Sequence, residues 1–172
     1  MTAPFTPAEL RNAFALLSSP GLIRLITEID DNGPIPPRRL AGTLPDLSAH
    51  HLRRTSHVAR VHGLVRVAPG VGLALTEAGS ELADFYDATA RWARRHAYPT
   101  RVCDFTTRLQ HSLSRMAPAL LASRADDSQR SAGKDMPSAE PETDLDHPRA
   151  LLVQWLNANS QVTVLLEPEP VA

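Results

Sequence analysis

Residues 48–82 read SAHHLRRTSHVARVHGLVRVAPGVGLALTEAGSEL, and this stretch decides the fold. Serine is a preferred helix N-cap and glycine is common just after a helix C-terminus, so Ser48 and Gly63 predict a helix between them. Two short apolar runs, 64–67 and 73–75, lie on either side of a Pro-Gly turn. This pattern predicts a β-hairpin directly after the helix.

More helices are predicted on the C-terminal side of the hairpin. Thr76 has the position of an N-cap, and apolar residues at helical spacing continue from there to His96. Pro99 ends this pattern, and a further helix is predicted over 102–124. Residues 125–147 are rich in Asp, Ser, Pro and Glu, so we expect a disordered acidic linker there.

Three shorter helices are predicted on the N-terminal side of residues 48–82. The first covers 8–18, with Thr6 as N-cap and Pro7 at the first helical position. The second ends near Asp31 at a turn cluster, and a short third covers 37–44. The fold class is therefore mainly α with a small β-hairpin. The predicted segments are 1–97, 98–124, the linker 125–147, and a C-terminal helix or strand segment over 148–172.

Composition limits the kinds of protein that this chain can be. Hydrophobic residues make up 42% of the 172 residues, which is enough for a buried core. No apolar run approaches the ~18 residues that cross a bilayer, and residues 1–10 do not have the pattern of a signal peptide. Cys103 is the single cysteine, so an intramolecular disulfide is excluded. We therefore expect a cytoplasmic protein without a membrane partner.

The charge is unevenly distributed along the chain. Residues 1–124 contain 15 arginines and 10 acidic residues, a net charge of +5, whereas residues 125–172 contain 3 basic and 9 acidic residues, a net charge of −6. Within 32–76, six arginines accompany one acidic residue, Asp46. This local excess predicts an anionic partner. The six are Arg38, Arg39, Arg53, Arg54, Arg60 and Arg66.

The order of short helices of which the third or fourth is basic, then a hairpin and a long helix, resembles a winged helix-turn-helix domain. Residues 34–41, PIPPRRLA, followed by Leu47-Ser48 and then by Gly63-Leu64-Val65, resemble the HxlR group of bacterial regulators, which are relatives of the MarR type. Residues 75–82 resemble the LTxxGxxL pattern that leaves the wing in the same families. The resemblance implies a transcriptional regulator that reads a palindromic operator in double-stranded DNA as a homodimer. It also implies that 1–97 is the DNA-binding domain, and that the helices after the wing form the dimer, with 98–124 as a dimerisation helix.

The predicted DNA contacts follow from the chemistry of the basic helix. Residues near the N-terminus of a helix in the major groove reach base edges, and arginine pairs with guanine through two hydrogen bonds. Leu52, Val58 and Ala59 are predicted to form the buried side of this helix. The predicted DNA-binding residues are Arg38, Arg39, Ser48, His50, His51, Arg53, Arg54, His57, Arg66 and Gly70, with Gly72 also allowing close approach to the minor groove.

Metal and enzyme functions are not favoured by the sequence. His50, His51, His57 and His62 lie within thirteen residues, but their spacing does not place a ligand pair on one helix face, and we expect polar groove-facing side chains without a metal or cofactor. Phosphate-loop and G-x-S-x-G patterns are absent. The carboxylates Asp84, Asp87 and Asp104 are expected in surface ion pairs.

Five of the eight aromatic residues lie in the two helices after the hairpin. Two explanations remain open for them: a homodimer core, or a pocket for an anionic small-molecule effector. The dimer is expected because Trp92 and Phe105 lie on apolar stripes that one small domain cannot cover fully. The candidate pocket residues are Phe85, Trp92, Arg95, Tyr98, Arg101 and Phe105. The alternative function is a winged-helix module that binds protein with the same surface.

Overall fold

The computed structural model describes residues 5–126 and 141–164, and the side chains of 5–122 and 145–164. Over these residues the protein is mainly helical with one two-stranded antiparallel hairpin, as the sequence predicts. The elements are α1 (Pro7–Leu17), α2 (Pro20–Asn32), α3 (Leu40–Thr43), α4 (Ala49–Val61), β1 (Val65–Ala68), β2 (Gly72–Leu75), α5 (Glu77–Arg95), α6 (Phe105–Asp126) and α7 (Pro141–Ala158), with 3₁₀ turns at Pro37–Arg39 and Ser160–Thr163.

Local capping residues set the helix starts where the sequence predicts them. The Thr6 hydroxyl accepts a hydrogen bond from the Glu9 amide of α1, and the Glu9 carboxylate accepts one from the Thr6 amide, which completes a capping box. The Ser48 hydroxyl accepts the His51 amide of α4, and the Thr76 hydroxyl accepts the Gly79 amide of α5, so both residues are N-caps. Gly63, with φ at 69°, follows the end of α4 in a backbone conformation that favours glycine.

The hairpin is held to the helices by one additional bridge. β1 and β2 pair with Val65 opposite Leu75, and Ile35, which precedes α3, forms an antiparallel bridge to Leu73 of β2. Gly72 lies against the Ile35 backbone so closely that a Cβ would overlap its carbonyl group. Its predicted role in DNA approach is therefore wrong, because this glycine is needed for packing inside the protein.

The last two helices pack on the others within one chain. α6 contacts α1, α2 and α5, and α7 covers α5. The indole nitrogen of Trp155 in α7 donates to the Ala78 carbonyl at 2.9 Å. Trp92 is 3% exposed and Phe105 is half-buried, so the expectation that one chain leaves their apolar stripes uncovered is wrong. This removes the burial argument for a dimer built by 98–124.

The predicted acidic linker lies mostly outside the described residues. Its ends differ from the prediction, because 125–126 continue α6 and 141–147 form the first two turns of α7. Leu145 is 1% exposed and belongs to the core together with Leu152 and Trp155. These three residues share one helix face, which explains why a polar stretch with a single leucine is helical. Among the described helices, none has the length and hydropathy of a membrane span.

Candidate nucleic-acid interface

The exposed face of α4 carries a row of basic side chains. Leu52, Thr55 and Ala59 are buried against the core, and Val58, expected there too, is only half-buried. The opposite face presents four of the predicted contacts, all exposed: His50, Arg53, Arg54 and His57. Helical spacing of three and four residues places them on one side. This side faces solvent along the N-terminal half of the helix.

The arginines around this face have no partner among the residues that the structure describes. None of Arg38, Arg39, Arg53, Arg54, Arg60 and Arg66 makes an ion pair or a side-chain hydrogen bond with any residue in 5–126 or 141–164, and all six are exposed. Arg108, in contrast, is used inside the protein: its guanidinium is buried and donates to the Tyr98 carbonyl at 2.8 Å. The six arginines thus leave unpaired positive charge in and around α4.

Asp46, the one acidic residue within 32–76, is paired with an arginine from outside that range. Arg24 of α2 donates two hydrogen bonds to Asp46, from Nε to Oδ2 at 3.0 Å and from Nη2 to Oδ1 at 3.2 Å. These bonds hold the pKa of the Asp46 carboxyl below its usual range. Because Asp46 is paired with Arg24, it does not compete with an external anion for the arginines of α4.

The remaining predicted contacts surround α4. Arg38 and Arg39 lie in the 3₁₀ turn before α3, and Arg66 lies on β1. Gly70 is at the exposed hairpin turn with φ at 73° and open space around it. The Ser48 oxygen accepts the His51 amide at 3.2 Å, so this hydroxyl serves as the helix cap and keeps its hydrogen to donate.

His51 does not share the outward direction of the other basic residues. Its ring lies beside Gly21 at the start of α2, where a Cβ on Gly21 would meet the imidazole at 3.0 Å and the Thr55 hydroxyl at 2.5 Å. Gly21 therefore allows α2 and α4 to approach closely. Nothing next to Gly21 in the sequence indicates this role, because Thr55 lies 34 positions further along the chain.

His62 is not a groove-facing residue, contrary to the prediction. It is 5% exposed, and its Nδ1 lies 3.1 Å from the Gln161 carbonyl oxygen of the C-terminal 3₁₀ turn. The Gln161 side chain donates back to the His62 carbonyl at 3.3 Å. Burial lowers the pKa of the imidazole, although its hydrogen bond to Gln161 acts in the opposite direction. The C-terminal turn is thereby attached to the end of α4.

The lowered pKa of His62 predicts a pH-dependent stability. Because the unfolded chain binds a proton near pH 6.5 and the folded chain resists it, stability is complete above that pH and falls as the pH drops below it. We expect the melting temperature to fall less between pH 7 and pH 5 in His62→Asn than in the natural chain. The exposed-residue control His50→Asn should keep the natural slope. An unchanged slope in His62→Asn would contradict the assignment.

The six predicted effector residues do not surround one cavity. Trp92 and Tyr98 pack ring against ring at 5.6 Å, and Arg95 and Arg101 are exposed. Phe85 instead lines a cavity of about 170 Å³ between α5 and α7. Its other lining residues include Trp155 and Leu151, with Glu81 and Asp84 at the edge. This acidic edge is the opposite of the arginine-lined pocket that the sequence suggested.

The acidic residues also differ from their predicted roles. Asp84 and Asp87 form no ion pair with the residues that the structure describes. Burial raises the pKa of Asp30, and the charges of Asp31, Asp84 and Asp87 raise it further. Asp104 caps α6 by accepting the Thr107 amide at 2.9 Å, and hydrogen bonds from the side chain and the amide of Thr107 lower the pKa of its carboxyl. Within 5–126 and 141–164, no group of three or more potential metal ligands is present.

Comparison with known proteins gives no family for this chain. It matches no protein-family model, no curated protein and no solved structure. The resemblance carried by 34–41 and 75–82 therefore remains a prediction.

Proposed function

We propose that the protein is a DNA-binding transcriptional regulator in which α3, α4 and the hairpin act as a winged helix-turn-helix. The observation that carries the proposal is the exposed face of α4, where His50, Arg53, Arg54 and His57 form no ion pair with the residues that the structure describes. A helix of this kind fits the major groove of B-DNA, and arginine is the residue that most often reads guanine there. Arg38, Arg39 and Arg66 are assigned to phosphate contacts on either side.

The arrangement around α4 supports this use of the helix. The Ile35 bridge holds the hairpin beside α3, and the Arg24–Asp46 ion pair connects α2 to the turn that leads into α4. Both contacts fix the direction of α4 without using any of its exposed side chains. A helix that is held from its buried side can present its other side to a duplex without rearrangement.

The test is the salt dependence of duplex DNA binding by the complete chain. If the exposed arginines neutralise about four phosphates, the affinity for a labelled duplex should fall roughly 100-fold between about 50 and 200 mM salt. Fluorescence anisotropy measures this directly, with an unlabelled duplex as competitor. Absence of binding at the lowest salt concentration, or affinity that does not change with salt, would reject the proposal.

We propose further that the regulator binds a palindromic operator as a homodimer. α4 has 13 residues, and one such helix makes few base contacts, whereas two copies on half-sites one helical turn apart combine their affinities. Sedimentation at micromolar concentration should give a species of twice 18.7 kDa. A single species at 18.7 kDa, alone and with operator, would show that a monomer binds.

A protein partner is the second candidate, and exposed apolar residues favour it. Val61 at the end of α4, Val67 on β1 and Val71 at the hairpin turn are each about half exposed, at 49%, 53% and 51%. Valines at these positions suit a protein surface better than a phosphate backbone. Retention of a protein partner by a chain that does not bind DNA in the salt titration would support this function.

A further inference from the structure

The side of α4 that is assigned to the major groove carries basic side chains and no carboxylate or carboxamide side chain. In residues 47–62 there is no Asn, Gln, Asp or Glu, and apart from Val61 at the end of the helix the exposed positions are filled by arginine, histidine, serine and alanine. Arg53 and Arg54 are adjacent and exposed, and His50 and His57 lie one turn away on each side. This face therefore offers hydrogen-bond donors in large excess over acceptors.

The base pairs differ in what they can accept from such a face. Guanine presents two acceptors in the major groove, N7 and O6, which match the two parallel donors of a guanidinium. Adenine presents a donor beside an acceptor and is normally read by Asn or Gln, and cytosine presents a donor that is normally read by Asp or Glu. None of these four residue types is present on α4 to read adenine or cytosine.

We propose that α4 reads guanine, so that each half-site of the bound duplex contains guanines contacted by Arg53 and Arg54. This inference rests on the proposed DNA-binding function and adds its specificity. Both arginines are free of internal partners, so binding a base requires no ion pair in the described part of the protein to break. His50 and His57 supply further donors at the two ends of this contact.

Selection of duplexes from a random pool by the complete protein tests the inference. We expect guanine at the central positions of the selected sites, and replacement of those guanines by 7-deazaguanine, which lacks the N7 acceptor, should weaken binding roughly 10-fold at each contacted base. Selected sites whose affinity is unaffected by 7-deazaguanine, or that consist of A·T pairs, would overturn the inference. If the pool is not bound at all, the DNA-binding proposal itself fails.

A charge-preserving substitution separates base reading from phosphate attraction. Lysine keeps the positive charge of arginine but not its planar pair of donors. Arg53→Lys and Arg54→Lys should keep the salt dependence of the natural chain, and at least one of them should lose roughly 10- to 100-fold in preference for guanine. Arg66→Lys, on the hairpin, is the matched control and should retain the preference. Full preference in both α4 variants would overturn the inference.

Discussion

Replacement of both Arg53 and Arg54 by alanine is expected to remove specific DNA binding while leaving the protein folded. Each base-reading arginine contributes about 1 to 3 kcal/mol of discrimination, so the pair together should cost at least roughly 30-fold in affinity. Neither side chain has a partner in the described parts of the chain, and both are exposed. Their loss therefore leaves no buried group unsatisfied.

Two measurements are needed to interpret this result. The melting temperature of the double variant should equal that of the natural chain, because exposed substitutions without partners change stability by about 0.5 kcal/mol or less. Arg91→Ala is a suitable control, since Arg91 is exposed on α5, away from α4 in sequence. Equal affinities for the double variant and the natural chain would mean that α4 is not the recognition helix, whatever the effect of Arg91→Ala.

The parts of the fold that depend on neighbouring residues could be predicted from the sequence. Thr6, Ser48 and Thr76 each satisfy an amide three positions ahead, so the identity of the residue and the pattern after it suffice to place the helix start. The hairpin follows from two short apolar runs and a Pro-Gly turn for the same reason. The predicted exposure of Arg53 and Arg54 is also confirmed, because helical spacing places them on the side opposite Leu52 and Ala59.

Long-range contacts explain what the sequence did not show. His62 and Gln161 are 99 positions apart, and nothing near His62 distinguishes a buried imidazole from an exposed one. The pairing of Arg24 with Asp46 likewise depends on α2 and the turn before α4 meeting in space. At the start of α6, Val102 fits the apolar spacing but is 90% exposed, because the Asp104 cap begins the helix after it.

The apolar faces of α5 and α6 are another example in which distant contacts decide the outcome, here for quaternary structure. The sequence shows that their apolar residues need a partner, but it does not show that α7 of the same chain covers α5, or that α1, α2 and α5 cover α6. Trp155 illustrates this, since it is buried and donates to the Ala78 carbonyl, 77 positions earlier in the chain. A substitution such as Trp92→Glu would therefore place a charge in the core of one chain, and could not report on a dimer interface.

Gly79→Ala is expected to destabilise the protein strongly, although alanine is a better helix former than glycine. Gly79 lies in the first turn of α5, directly against the Leu64 carbonyl group, and a Cβ there would overlap the carbonyl oxygen. Both atoms belong to rigid backbone, so neither can rotate away. Overpacking of this kind costs about 3 kcal/mol.

The overlap would also disturb the junction between α4, the hairpin and α5. The Thr76 hydroxyl donates to the Gly63 carbonyl at 2.6 Å and accepts the Gly79 amide at 3.1 Å, so a displaced α5 would lose the bonds that hold this corner. A loss of 3 kcal/mol should lower the melting temperature by about 6 to 12 °C in a chain of this length. Thermal denaturation followed by circular dichroism measures it.

Gly42→Ala provides the matched control for this prediction. Gly42 lies in α3 with no atom within 4 Å of its added Cβ, so the same chemical change should be neutral or stabilising by up to about 1 kcal/mol. Opposite shifts of the two melting temperatures would show that the contact with Leu64, and not the chemistry of alanine, sets the effect. If Gly79→Ala and Gly42→Ala have the same melting temperature, then α5 does not pack against the Leu64 carbonyl group. Gly79 then has no structural role at the junction of α4, the hairpin and α5.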